Sequence, residues 1–581
     1  MTLATKYQNE EIPHIEYPRP QLRRDSYLSL NGKWKLKKMK ISGDVCIFES
    51  DITVPFSPES IKSGIGEGFK LDVDEKLVYQ RSVFIDNEML RGVTLLHFGA
   101  VDQECDVIVN SRRVAHHRGG YTPFSVDISS VISEGYNDFC VECVDKTEAS
   151  HGARGKQSSK PGKIWYTSQS GIWQSVWLES MPSDYIGSVK ITPLENLKEV
   201  KIETECRCNH KIRVFDGDKE IISSKIENNS IVLSWNFDTW SPESPKLYDF
   251  EITADSGDKI YSYFGVRTFG IGKDKNGKAR LLLNGKPYFY NGVLDQGYYS
   301  DGLLTPSSDK AMYDDIKMIK DMGFNMIRKH IKIEPMRWYY YCDKLGICVW
   351  QDFVNGGGVY KFTHIAAFPF LGFKHDDSDY KYFSRENKEG RDEFINSVHE
   401  TVGALYNCVS IGAWVPFNEG WGQFDSYKIT QLLRSLDDTR IIDSVSGWHD
   451  QGEDKTTLKS LHTYYTKLKV PKDRRPVVLS EFGGYSIKTA GHVYNEEKEF
   501  GYKVFKDERK FHNEIYNLFI NKIKPLIKKG LCASVYTQLS DVEEEINGLV
   551  TYDRAYIKIP IDFMKKINLE IDKEAEIVNK M

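Results

Sequence analysis

From Gly270 to the C-terminus, short apolar runs that read as strands alternate with helical segments, and the runs number eight. They are PYFYNGV, FNMIRKH, GICVWQDF, IGAWVPFNE, RIIDSVSG, SLHTYY, PVVLSEFG and CASVYTQLS. Eight strands, each followed by a helix, are what a closed (β/α)8 TIM barrel requires. The stretch SSDKAMYDDIKMIKDMG after the first run places Met312, Ile316 and Ile319 on one helical face. Ser308 suits its N-cap and Gly323 its stop, while PMRWYYYCDKLG supplies the next helix, closed by Gly346. An aromatic, glycine-rich insertion from about 356 to 382 follows the third strand. Loops of more than roughly 15 residues are usually functional or mobile.

Upstream of Gly270 the pattern is different. WKLKKMKI, LVYQRSVFID, GVTLLHFGA, QECDVIVN, YNDFCVECVD and QSVWLESM are short strand-like runs with no helical period between them. Asn31-Gly32 and Gly119-Gly120 are turn dipeptides. Residues 1–183 are therefore expected to form a two-sheet sandwich of jelly-roll, sugar-binding type. Met181-Pro182-Ser183-Asp184 breaks the series, and more short strands follow up to Gly270. That count fits an immunoglobulin-like β-sandwich over 184–270, without the Cys…Trp…Cys pattern of true immunoglobulin domains. The catalytic barrel is then expected over 271–581.

Composition narrows the class. The formal net charge of -5 lacks the basic excess of a nucleic-acid binder. The lysines from Lys522 to Lys529 read as a solvated helix face. No signal pattern opens the chain, and no run of about 18 apolar residues marks a membrane span. The ten cysteines are scattered; Cys140 with Cys143, and Cys206 with Cys208, lie in strand-like runs rather than at metal-site spacing. Neither a metal nor another cofactor is expected, no nucleic-acid or membrane partner is implied, and a reducing cytoplasmic setting is expected. With 33 Tyr and 11 Trp, the chain has rings for β-rich cores and for stacking on sugars alike.

In a barrel of this kind chemistry sits where the strands end. Strand four ends in Asn418-Glu419-Gly420 and strand seven in Ser480-Glu481-Phe482, so two carboxylates emerge on opposite sides of one ring. Strand one ends at Asp295 and Gln296, strand two at Arg328-Lys329-His330, strand three at Asp352, strand six at His462 to Tyr465, and strand eight at Tyr536 and Gln538. Two opposed carboxylates suit glycosidic bond cleavage, one as acid and the other as nucleophile or as base toward water. Such a pair could equally hold a metal or form an ion pair with Arg328.

The chain resembles glycoside hydrolase family 2 from about Tyr27 to Arg554. The motifs are LNGKW, VYQRSVF, LHFGAVD, HRGGYTPFSVDIS, SGIWQSVWLE, FGVRTF, LLNGKPYFYNGV, GFNMIRKH, CDKLGICVWQD, WVPFNEGWGQFD and LSEFGG, in the family's order. The resemblance implies a retaining, metal-independent double displacement. Glu419 takes the acid/base position and Glu481 that of the nucleophile. Asn418 matches the contact to the sugar 2-hydroxyl, and Arg328 a guanidinium that orients the nucleophile. Tyr464, with Tyr465 as rival, matches the tyrosine beside the nucleophile, and His330 lies one position from a sugar-contacting histidine. Trp448 and Trp421 are candidates for a sugar platform, and Asp295, Gln296, Asp352, Tyr536 and Gln538 for the mouth and its hydroxyl recognition. Many members are dimers or tetramers, which makes a homo-oligomer an expectation of the resemblance, although no interface signature stands in the sequence.

Two departures bear on the sugar. Trp165 occupies the place of an aspartate by which several members reach the terminal sugar. The segment Glu545 to Thr551 lacks the lysine of the glucuronide-specific motif and follows acids at Glu543 and Glu544. An acidic rim repels a uronate, and Arg328, Lys329 and Lys332 are the cations counted near the mouth. The sequence therefore favours a neutral sugar, with β-galactoside first. β-Glucuronide, β-mannoside and α-L-arabinoside stay open, as does an inactive relative that only binds carbohydrate.

Overall fold

The computed structural model describes residues 3–452 and 457–580, and strand counts refer to these residues. The first lobe is a jelly-roll sandwich. Its larger sheet runs in the order Cys46–Val54, Gly32–Lys40, Glu75–Ile85, Gly135–Val144, Glu104–Val109, Arg112–Arg118. The smaller runs Tyr27–Ser29, Val176–Met181, Val93–Phe98, Phe124–Asp127. Period-two alternation explains the pairing: Trp34 and Leu36 are buried while Lys33 and Lys35 between them face water. The inward residues of both sheets, among them Leu36, Tyr79, Phe98, Val107, Phe139 and Leu178, make one core.

A second sandwich follows. Val189–Pro193, Glu199–Thr204 and Ser230–Ser234 form one sheet, and Lys219–Ile226, His210–Asp216, Tyr248–Ala254 and Lys259–Phe264 the other. This is the immunoglobulin-like architecture. The next strand, Phe269–Lys273, pairs with Ala279–Leu283 in a small sheet that also includes Lys286–Pro287. Phe269, Leu281 and Leu283 join the cluster of Tyr290, Met326, Trp350 and Val535, so this hairpin packs onto the barrel strands.

The barrel strands are β1 (Tyr290–Asp295), β2 (Met326–Lys329), β3 (Cys348–Asp352), β4 (Ile411–Val415), β5 (Ile441–Ile442), β6 (Lys459–Thr463), β7 (Val477–Gly483) and β8 (Leu531–Thr537). They form one parallel sheet in the order β5-β4-β3-β2-β1-β8-β7-β6. The helix after β1, Asp309–Asp321, is capped by the Ser308 hydroxyl, which accepts from the Ala311 amide at 3.1 Å. It stops at Gly323, whose φ of +84 suits a residue without Cβ. Among the described residues no helix is long and apolar enough to cross a membrane.

One buried cation ties the two sandwiches together. Arg24 donates twice to Asp258 of the second lobe, at 3.0 Å each, and once to Glu179 of the first at 3.1 Å. Arg19 and Tyr17 also donate to Glu179. Burial alone raises a carboxyl pKa, yet the charges of Arg19, His97 and Arg24 push Glu179 down to about 2. Replacing Arg24 by Met leaves two buried carboxylates short of their counter-charge. We expect the midpoint of urea unfolding to fall by the equivalent of about 3–5 kcal/mol. Because the folded pKa of Glu179 lies below its unfolded value, its contribution is complete above about pH 4.3 and is lost as pH falls toward 2. An unfolding midpoint unmoved by Arg24→Met would refute the assignment of this clamp.

Candidate active site

Glu419 and Glu481 meet over the carboxyl ends of the barrel strands. One carboxylate oxygen of each and a ring nitrogen of His462 lie within 4.8 Å of one another. Glu419 follows β4 in a left-handed turn, φ +50, which is uncommon for a residue with a Cβ. The turn is held because its amide donates to the Ser446 carbonyl at 3.0 Å. Gly420 continues it at φ +73, where a Cβ would strike His449 at 2.6 Å. Glu481 lies where the register of β7 against β8 slips between Leu479 and Phe482. At Gly483 a Cβ would strike the Tyr536 ring at 2.5 Å, so the SEFGG run permits the bend beyond the carboxylate.

The two carboxylates have opposite environments. Burial raises the Glu419 pKa, with the charge of Glu481 acting in the same direction, against a hydrogen bond to His462. Burial pushes Glu481 the same way, but the charges of His462 and Arg328 and a hydrogen bond from Tyr464 outweigh it, holding Glu481 down at about 2. Arg328 Nη1 donates to Glu481 Oε1 at 3.1 Å, and the Tyr464 hydroxyl donates to Oε2. Tyr464 is oriented by a face-to-face stack on Tyr502, with ring centroids 3.7 Å apart. Tyr465, its rival in the sequence, is exposed and lies against Phe370 and Tyr502. One carboxyl is thus biased toward carrying a proton and the other toward staying ionised, which is the division of labour an acid and a nucleophile need.

Asn418 Oδ1 accepts from Arg328 Nη2 at 2.7 Å, and its buried Nδ2 has no partner among the described residues. Among the described residues the buried Trp421 indole nitrogen likewise has no partner, nor has Gln296 Oε1. Such groups are costly unless something else satisfies them. His330 donates or accepts through Nδ1 to Asp352 at 2.7 Å, and burial holds its pKa well below the ordinary value. Trp421 lies 6.0 Å from the His330 ring. Trp448 stands at the rim, edge-on to Phe370 at 5.0 Å and 6.3 Å from His462.

Several candidates stand elsewhere than the sequence suggested. Asp352 has both oxygens on Arg328 and one also on His330, so it is engaged first in holding these two side chains. Asp295 is bound by Lys329 at 2.5 Å and by the Gly297 amide at 2.8 Å. Lys329 also reaches Glu334, and Lys332 pairs with Glu334 at 2.8 Å, so neither lysine is available to the mouth. Tyr536 points away from the mouth, packing on Phe482 and Phe519, because alternation along β8 sends it to the helix layer. Thr537, one residue on, faces the site and lies 3.2 Å from the Tyr464 hydroxyl. Gln538 and Gln296 bond to each other at 2.5 Å, and Gln538 also holds Asn547. The acidic run is not a rim. Glu543 accepts from the Thr167 amide, Glu544 from the Lys163 amide and Glu545 from the Tyr166 hydroxyl, so the three acids dock residues 163–167 of the first sandwich.

Neither His462, named in the sequence only as part of the end of strand six, nor Lys156 was among the candidate site residues. His462 Nδ1 lies 2.7 Å from Glu419 and Nε2 3.6 Å from Glu481, which makes it the bridge between them. A histidine ending a barrel strand two residues before the matched tyrosine was the available signal. Lys156 comes from a loop of the sandwich domain, and nothing local to it points to the barrel. The insertion after β3 forms short helical turns, Thr363–Ala367 and Phe368–Phe370, and exposes Phe362 (74%) and Leu371 (73%) beside this rim.

Glu419, His462 and Glu481 also have the spacing of three metal ligands. A divalent ion there would sit beside the fixed charge of Arg328, already 3.1 Å from Glu481, and would break the 2.7 Å contact between His462 and Glu419. The donor set fits proton transfer better than a cation.

Residues 27–182 match the sugar binding domain of Glycosyl hydrolases family 2, and residues 275–558 match that family's TIM barrel domain. A putative beta-glucuronidase of Formosa agariphila is 28% identical over 461 residues, 70% of this chain and 50% of that protein. A beta-galactosidase of Thermoanaerobacter pseudethanolicus is 24% identical over 475 residues, 76% of this chain and 59% of that protein. The chain thus spans about half the length of the curated relatives it matches. The solved beta-D-glucuronidase of Dictyoglomus thermophilum has a TM-score of 0.75 at 19% identity, over 95% of this chain and 98% of that one. A beta-galacturonidase of Eisenbergiella tayi bound to galacturonate has a TM-score of 0.69 at 18% identity, over 96% and 99%. At such identities the likeness is one of fold.

The histidine bridge has a measurable consequence. His462 lowers the pKa of both glutamates, so His462→Asn raises both. Activity is lost below the pKa of the group that must be ionised and above that of the group that must be protonated. Both limbs of the pH profile of kcat/KM should therefore move to higher pH. A profile that keeps its limbs while losing height would show that His462 does not tune the pair.

Proposed function

The chain belongs to glycoside hydrolase family 2, and from that premise we propose that it is a retaining exo-β-glycosidase with Glu419 as general acid/base and Glu481 as nucleophile. The observation that carries this reading is the pair of carboxylates with oxygens within 4.8 Å and oppositely shifted pKa values. Retaining enzymes hold their two carboxyl groups about 5–5.5 Å apart, and inverting enzymes about 6.5–9.5 Å, to admit a water.

In the first step Glu419 gives its proton to the glycosidic oxygen while Glu481 attacks the anomeric carbon. The leaving alcohol departs and a glycosyl ester forms on Glu481. Esterification removes the negative charge that helped raise the Glu419 pKa, so Glu419, now ionised, takes a proton from water as that water attacks the same carbon. Arg328 and Tyr464 hold Glu481 ionised and aimed. Asn418 Nδ2, without a partner among the described residues, donates to the sugar 2-hydroxyl. Residues 156–167 of the sandwich domain wall off one side of the mouth, which supports cleavage at a chain end. The apolar lip around Phe370 and Trp448 receives the leaving group.

The terminal sugar is a finer question. The relatives' names include both beta-glucuronidase and beta-galactosidase, so they do not choose between a uronide and a neutral hexoside. The β-galactoside reading rested on an acidic rim and a lack of spare cations. Glu543 to Glu545 are committed to docking residues 163–167, so the first of these premises has no support in the geometry.

Two variants test the reaction. Glu481→Gln should lower kcat by about 10³-fold or more on p-nitrophenyl β-glycosides while sugar binding persists. Proton NMR of the wild-type product should show the β-anomer first; an α-anomer formed first would overturn the retaining assignment. Glu419→Ala should impair substrates with poor leaving groups far more than activated aryl glycosides, and azide should partly restore turnover by entering the vacated space. Equal losses on both substrate types, with no azide effect, would remove Glu419 from the acid/base role. A protein that binds sugars but cleaves none of the panel would be the carbohydrate-binding relative instead.

A further inference from the structure

Lys156 is a cation of the sandwich domain set into the barrel mouth. It is 7% exposed. Its ammonium lies 5.6 Å from the Trp421 ring centroid and 5.4 Å from that of Tyr166. Among the described residues its ammonium forms no salt bridge and no hydrogen bond. Its charge nonetheless acts on the working groups, lowering the pKa values of Glu419, Asp352 and His330. An ammonium set against two aromatic faces, with no protein acceptor among the described residues, keeps its three donors free for solvent or a ligand.

The loop that carries it is built to stay there. Arg154 and Gly155 donate their amides to the Asn355 carbonyl at 2.9 and 3.1 Å, and Asn355 Nδ2 returns a bond to the Gly155 carbonyl. Gly155, at φ +62, lies so close to the barrel that a Cβ would meet the Ile331 carbonyl at 3.0 Å. The Lys156 carbonyl accepts from the Tyr166 amide at 2.9 Å. The other cations near the mouth are committed: Arg328 to Asp352 and Glu481, Lys329 to Asp295 and Glu334, Lys332 to Glu334, and Arg154 to the carbonyls of Gly357 and Gly358. Beside Lys156, the Trp421 indole N–H is 2% exposed and also unpartnered. A positive charge without a protein partner and a buried neutral donor, both uncommitted among the described residues, make a receptor for an anionic oxygen pair.

We propose that Lys156, with the Trp421 indole N–H, binds the carboxylate of the terminal sugar, so that the substrate is a β-linked uronide. This rests on the glycosidase reading above and supplies its sugar class. A carboxylate entering a mouth that already holds Glu419 and Glu481 is repelled unless a cation meets it, and Lys156 is the one left uncommitted. The hook comes from the sandwich domain, where Trp165 packs on Trp421 at 5.2 Å in place of an acidic side chain.

The test compares kcat/KM for the p-nitrophenyl β-glucuronide and β-galacturonide with the matching β-glucoside and β-galactoside, in wild type, Lys156→Met and Lys156→Arg. Wild type should prefer one uronide over its neutral partner. Lys156→Met, close in shape but uncharged, should lower that ratio by roughly 10- to 100-fold, and Lys156→Arg should keep part of it. Calorimetry on Glu481→Gln protein reads the same contact without turnover. Binding of free glucuronate or galacturonate should weaken at least tenfold when Lys156→Met is added. A wild type that favours neutral hexosides, a ratio unmoved by Lys156→Met, or a Glu481→Gln protein that binds no uronate would each overturn the proposal. Hydrolysis of hexosides alone would leave the glycosidase reading standing. Lys156-dependent uronate binding without any hydrolysis would do the reverse.

Discussion

The guanidinium of Arg328 is fully buried, and every one of its N–H groups is taken. Nε and Nη2 meet the two oxygens of Asp352, Nη2 also meets Asn418 Oδ1, and Nη1 meets Glu481 and the Ser480 carbonyl. A desolvated charge costs several kcal/mol unless hydrogen bonds of this completeness return the loss. The partners come from the ends of β3, β4 and β7, so one side chain on β2 holds four strand ends in register. Lysine could not replace it, because a compact ammonium has neither the planar fork nor the reach for five acceptors. The position of Glu481, its low pKa and the orientation of Asn418 all depend on this contact.

Around that fixed charge the two glutamates are differentiated by what else touches them. Glu481 has Arg328 on one oxygen and Tyr464 on the other, and both stabilise the anion. Glu419 is farther from the guanidinium, sits in a left-handed turn and has His462 as its hydrogen-bonding neighbour. Two identical side chains are therefore biased in opposite directions, Glu419 toward a raised pKa and Glu481 toward a lowered one, by position alone. His462 couples them, since one ring faces both carboxylates.

The sandwich domain does more than flank the barrel. Its segment from Gly152 to Thr167 is fastened at one end to Asn355 and at the other to Glu543, Glu544 and Glu545. Tyr166 reaches Glu545 and Gln296 within the barrel. Lys156, Trp165 and Tyr166 thereby become walls of a site whose reacting groups all belong to another lobe. The acids that look like a repulsive rim in sequence are hydrogen-bond acceptors for this docking.

Local information was enough for the fold class, the eight barrel strands, the Ser308 cap, the Gly323 and Gly346 stops and the two glutamates. Those features depend on hydrophobic period, on turn chemistry and on motifs a few residues long, and each is written within one stretch of chain. Which face a strand-end residue presents was less legible: Tyr536 and Thr537 differ by one position, and alternation sends the first to the helix layer and the second to the site. The commitment of Asp352, Asp295, Lys329 and Lys332 to one another, and the meeting of Lys156 with Trp421, were decided by tertiary structure alone. Whether a charged side chain is available or already paired depends on which other charges lie within about 4 Å of it, and the packing of three lobes brings those neighbours from residues hundreds of positions away.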